Sequence, residues 1–154
     1  MKYEFRIESG QVHLSDPCYD LSTWCGKYNV PAKNGTWFAE VLESNNRIAQ
    51  FGAYHEDHEE DWVSFFDQDF GVDSGQFGIF DVEIYDPESD YDTPGFYRDC
   101  CDVTLSRAMC GVVQNRGFVS STGWGDGSYS AEAKFDENGN LVKFMITFIG
   151  DEEE

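Results

Sequence analysis

Basic residues are scarce in this chain. Across 154 residues, 10 Lys and Arg stand against 30 Asp and Glu, giving a formal net charge of −20. Nucleic acids and anionic membrane surfaces are held by Lys and Arg neutralising phosphates, so direct binding to either is excluded as an expectation. No window reaches the apolar length of a membrane span, and Met-Lys-Tyr-Glu-Phe-Arg-Ile-Glu at the start has no apolar signal core, so a cytoplasmic protein is expected. Five cysteines, two of them adjacent at Cys100 and Cys101, do not make a secreted disulfide framework and read as mostly buried thiols. Paired Cys-x-x-Cys or His-x3-His spacings are missing, which argues against structural zinc, and no metal ligand set is assigned. Also missing are a Walker loop, a dinucleotide fingerprint, a Gly-x-Ser-x-Gly elbow and a His-Glu-x-x-His motif, so no cofactor is implied.

What is present is aromatic and unevenly charged. Forty per cent apolar and 16 per cent aromatic residues are too many for a disordered chain despite the charge. The length suits one β-rich domain over 1–150, followed by an acidic tail at 151–154. Residues 51–102 hold 16 acids and one base, a net −15, whereas 1–50 and 103–154 net −1 and −4. That middle third permits cations or basic protein surfaces as partners.

Alternation predicts strands at 2–7, 11–14, 36–43, 47–54, 79–85, 129–135 and 142–148. Asn45-Asn46, Asn115-Arg116-Gly117 and Asn138-Gly139 supply hairpin turns. A short helix is expected from Asp20 to a stop at Gly26, and a better one from Thr93-Pro94, with Phe96, Tyr97, Cys100, Cys101, Thr104 and Leu105 at helical spacing. The fold class is therefore mainly β (α+β), an antiparallel β-sandwich or open barrel with one or two short helices.

Two polar, glycine-rich stretches concentrate side chains that bind ligands. Val72–Asp81 supplies Asp73, Ser74, Gln76 and Asp81, and Ser120–Tyr129 supplies Ser121, Asp126, Ser128 and Tyr129. Glycines at 75, 123, 125 and 127 permit close backbone approach to a ligand; equally, such turns bond their own backbone. Asp67, Asp69, Gly71 and Asp73 alternate as calcium-loop ligands do, but lack the glycine at the sixth position and the glutamate at the twelfth. His55 and His58 stand three apart, and Cys18 with His13 as base is a conceivable nucleophile pair with no defined approach.

Asp16-Pro17-Cys18-Tyr19 followed by Trp24, then Val72-Asp73-Ser74-Gly75-Gln76 with Gly78-Ile79-Phe80-Asp81, then Ser121–Tyr129, together resemble the pattern of a family of small proteins of bacteria and their phages that carries no assigned activity. Phe96-Tyr97 and Cys101-x-x-Thr104 match that pattern as well; Trp124 departs from it, as do the acidic stretches 55–61 and 86–92. The resemblance implies a shared fold and groups Asp16, Cys18 and Tyr19 with Asp73, Gln76, Asp81, Asp126 and Tyr129.

The leading expectation is a non-enzymatic binding protein with a polar Asp/Ser/Gln site for a small polar ligand or divalent cation. Two others stand beside it: an acidic interaction protein occupying a basic, nucleic-acid-binding surface of a host protein, and a metal-assisted hydrolase using Asp73, Asp81 or Asp126.

Overall fold

The structure, a computed structural model, describes residues 2–17, 26–57, 64–72, 75–86, 92, 94–123 and 127–149, with the backbone alone for 64–69. Among the described residues eleven strands and one helix follow in order: β1 (Lys2–Ile7), β2 (Gln11–Ser15), β3 (Gly26–Pro31), β4 (Gly35–Ser44), β5 (Arg47–His55), β6 (Ser64–Val72), β7 (Gln76–Asp81), α1 (Phe96–Thr104), β8 (Cys110–Val113), β9 (Gly117–Ser121), β10 (Gly127–Phe135) and β11 (Leu141–Thr147). They form two antiparallel sheets, one of six strands in the order β1-β4-β5-β11-β10-β6 and one of five in the order β3-β2-β7-β9-β8. The two sheets do not close into a barrel, and the fold is the expected mainly β (α+β) sandwich.

The main core fills the space between the sheets. Phe5, Trp37, Phe51, Phe70 and Phe144 from the larger sheet meet Leu14, Phe77, Ile79 and Phe118 from the smaller one, all fully buried. A second cluster, Phe80, Tyr85, Phe96, Cys100, Val113 and Val119, lies between the smaller sheet and α1. The smaller sheet is thus covered on both faces, and this explains why Gln-Phe-Gly-Ile-Phe-Asp at β7 is buried throughout instead of alternating. The ring of Phe80 lies over Gly78: a Cβ at Gly78 would come within 2.5 Å of Phe80 Cζ.

Three hairpins follow the turn chemistry. Asn45 and Asn46 both take positive φ, 52° and 65°, in the β4–β5 turn, and Gly139 takes 79° in the β10–β11 turn. The third, β8–β9, turns through Gln114 and Asn115 at φ 50° and 61°.

Four expectations are corrected. Strand 79–85 is β7 at 76–81, because the chain turns at Asp81, whose carbonyl accepts from Ile84 N–H (3.1 Å) and whose Oδ1 accepts from Glu83 N–H (3.0 Å). Gly26 opens β3 instead of stopping a helix; a Cβ there would stand 2.7 Å from the Leu14 carbonyl oxygen, so only glycine lies this close to β2. The rest of the expected first helix falls on 18–25, outside the described residues. Helix α1 begins at Phe96, with Gly95 at its cap and no side-chain cap bond, two residues beyond Pro94; Thr93 lies outside the described residues. Finally, the alternating Asp67 and Asp69 belong to edge strand β6, where the Cα partners of Asp67 and Asp69 are Glu132 and Ser130. Their two-residue alternation, which calcium-loop ligands share, is here that of a paired strand.

Candidate functional site

The ladders bring the two glycine-rich stretches together. Val72 is the Cα partner of Gly127 at the end of β6–β10, and Gln76 is the partner of Ser121 at the end of β7–β9. The chain therefore crosses between the two sheets in both stretches at the same place, from β6 to β7 and back from β9 to β10. Thr122 N–H donates to the Gly75 carbonyl at 3.1 Å, tying one crossing to the other.

Above this point a groove opens beside the C-terminal half of α1. One cleft of about 290 Å³ is lined by Gly75 and Gln76, by Ser121, and by Tyr97, Cys101, Thr104 and Leu105 of the helix. A neighbouring cleft of about 390 Å³ shares Thr104 and Ser121 and adds Met109, Gly123 and the β4–β5 turn residues Asn45, Asn46 and Arg47. Arg47 Nη1 donates to the Gly123 carbonyl at 2.8 Å, which fixes the turn against the crossing.

Gln76 is the chemical centre of the first cleft. Cross-strand partners share a face of the sheet, so Gln76 and Ser121 project together toward α1. Gln76 is 5 per cent exposed; its Nε2 donates to Cys101 Sγ at 3.5 Å, and its Oε1 has no hydrogen-bond partner among the described residues. Thr104 Oγ1 directs its proton back to the carbonyls of Cys100 (3.1 Å) and Cys101 (3.3 Å), leaving lone pairs as what it can offer to the cleft.

Of the residues singled out in the sequence, Gln76 and Ser121 line the groove. Asp81 lies at the other end of β7, about 16 Å away at 3.3 Å per residue. It is fully buried and accepts from Glu8 N–H (2.7 Å), Ser9 N–H (3.1 Å), Glu83 N–H (3.0 Å) and Arg116 Nη2 (2.6 Å). Burial alone would raise its pKa, but these donors outweigh it and hold the carboxyl at about 2. Asp16 is buried beside β2, where its carbonyl accepts from Tyr85 Oη–H at 3.2 Å. Tyr129 belongs to the main core, edge-on to Phe148 at 5.1 Å, and Ser128 is exposed on β10. Cys18, Tyr19, Asp73, Ser74 and Asp126 lie outside the described residues.

The described histidines stand elsewhere. His13 Nδ1 accepts from Asn29 N–H at 3.1 Å, its ring sits edge-on to Tyr28 and Tyr85, and burial pushes its pKa down to about 4. His55 is buried, Nδ1 accepting from Asp57 N–H (3.0 Å) and Nε2 lying 2.8 Å from the Asn34 carbonyl. Among the described residues no group of three or more His, Cys, Asp or Glu gathers where it could hold a metal ion, and no helix is long and apolar enough to cross a membrane.

Sequence reasoning placed Tyr97, Cys101, Thr104 and Leu105 on the helix without assigning them to a site. Their signal is a second stripe: Phe96 and Cys100 pack on Phe80, while Tyr97, Cys101 and Thr104, at i, i+4 and i+7, run beside that stripe and face the groove. Comparisons with family models, with curated proteins and with solved structures gave no match to the chain.

Proposed function

We propose that this chain is a non-enzymatic binding protein that holds a small polar ligand in the groove between α1, the β4–β5 turn and the paired crossings. The observation that carries this reading is Gln76 Oε1. A buried amide oxygen without a partner costs about 1–3 kcal/mol, and a fold keeps such a cost where a bound group relieves it. Binding, not turnover, fits the lining: an amide, hydroxyls and a thiol, with His13 and His55 both engaged elsewhere.

An NMR titration with small neutral, cationic and anionic fragments tests the reading. At least one fragment class is expected to shift the amides of Gln76, Cys101, Leu105 and Ser121 together. Hits that scatter over the outer sheet faces, or that miss these four amides, overturn it.

A further inference from the structure

Resting on that reading, we infer that the ligand is an organic amine bound as its ammonium ion, with the head on Gln76 and the carbon skeleton along Tyr97 and Leu105. Three features of the 290 Å³ cleft converge on this chemistry. The first is hydrogen-bond polarity. Gln76 Oε1 is an unpartnered acceptor, and Thr104 Oγ1 has spent its proton on the carbonyls of its own helix. With the Ser121 hydroxyl, that makes three acceptors among the residues lining the cleft, two from the sheet and one from the helix, and an ammonium has three donors and no acceptor. A carboxylate or phosphate would set its own lone pairs against the Gln76 oxygen.

The second feature is the helix end. Cys101, Thr104 and Leu105 are the last turn and cap of α1, where the aligned peptide dipoles leave partial negative charge, and no basic residue occupies that turn. A bound cation there takes the place that Lys or Arg fills at other helix ends. The third is the field of the chain. Gln76, Tyr97 and Cys101 belong to the stretch 51–102 with net charge −15, which raises the local concentration of cations and lowers that of anions. Leu105, 76 per cent exposed, and the half-buried Tyr97 give the rim apolar surface for the alkyl part, and Tyr97 adds a ring face suited to a cation.

The test is thermal melting at matched ionic strength with four probes of one skeleton: butylammonium, butyltrimethylammonium, 1-butanol and butyrate. Butylammonium is expected to raise Tm by about 3 °C when well above its Kd. Butyltrimethylammonium keeps the charge but has no N–H donor, and should give a much smaller shift, as should butyrate. Gln76→Leu should abolish the response, and Gln76→Glu, which puts a carboxylate at the same place, should tighten butylammonium binding by about tenfold. Equal shifts with butylammonium and butyltrimethylammonium, or responses unchanged in both Gln76 variants, would mean screening of the acidic surface and overturn the assignment. A shift with butyrate or butanol alone, lost in Gln76→Leu, overturns the amine but leaves the groove as a binding site. Silence of all four probes overturns the amine as well, and the fragment titration then decides whether the groove binds at all.

Discussion

Asp81 and Arg116 hold each other through side chain and backbone: Arg116 Nη2 and Nε donate to Asp81 Oδ2 at 2.6 and 3.2 Å, and Asp81 N–H donates to the Arg116 carbonyl at 3.0 Å. Around this pair the β1–β2 turn docks through the N–H groups of Glu8 and Ser9, and Glu83 adds a further carboxylate on Arg116. One buried carboxylate therefore joins the end of β7 to two separate turns. Asp81→Ala leaves three backbone N–H groups without their acceptor, and a loss of about 3–5 kcal/mol in urea denaturation is expected. A loss below about 1 kcal/mol would show that water replaces the carboxylate at little cost.

Acid should unfold the protein in two stages, with different residues responsible. His13 has its folded pKa lowered to about 4 from 6.5, so its neutral form is favoured by the fold. Its contribution is present above pH 6.5 and is lost as pH falls from 6.5 toward 4. Asp81, lowered from 3.8 to about 2, contributes above pH 3.8 and is lost from there down to pH 2. Each stage amounts to about 2–3 kcal/mol. Tm measured against pH should fall in the upper window for wild type, and the upper fall should vanish in a folded His13 variant such as His13→Phe.

Gln76→Leu should make the unliganded protein more stable by about 1–2 kcal/mol while removing its ligand response, because it replaces a buried amide whose oxygen has no partner with an apolar group of similar volume. Chemical denaturation in the absence of ligand measures this. Destabilisation of the unliganded variant would mean that the Gln76 Nε2 contact to Cys101 Sγ outweighs the unpaired oxygen.

Gly78→Ala should cost about 2–3 kcal/mol, since its Cβ would press on Phe80 Cζ at 2.5 Å and on the Phe118 carbonyl oxygen. Phe80→Leu in the same chain should restore part of that cost, and a double-mutant cycle reads the coupling. Additive losses would place the whole penalty on the Phe118 carbonyl.

Salt should stabilise the chain. At net −20, self-repulsion opposes the compact state, and screening weakens it, so Tm is expected to rise between low and physiological ionic strength before any ligand is added. A flat response would show that counter-charges already neutralise the acidic third.

The local parts of the fold were legible in the residues alone. Asn45-Asn46 and Asn138-Gly139 close hairpins as expected, the β8–β9 turn has its positive-φ residues at Gln114 and Asn115 where Asn115-Arg116-Gly117 was expected, and the buried row Val142, Phe144, Ile146 and Phe148 was legible from its two-residue period. These signals survive because turn and partner lie within a few residues. Helix α1 was legible for the same reason, apart from its first turn. Strand β6 was not: its partner β10 lies about sixty residues on, and alternating aspartates on an edge strand look like loop ligands until that pairing is known. The groove was half legible. Gln76 and Ser121 stand out as polar residues in glycine-rich stretches, but their meeting depends on the β7–β9 register. Tyr97, Cys101 and Thr104 join them only because Phe96 and Cys100 dock on Phe80 and turn the adjacent stripe toward the crossings. Asp81, one of the polar residues of the first glycine-rich stretch, became a structural anchor through five donors from three separate segments. Whether a polar side chain binds a ligand or the fold depends on which donors reach it, and that is set by contacts between segments far apart in the chain.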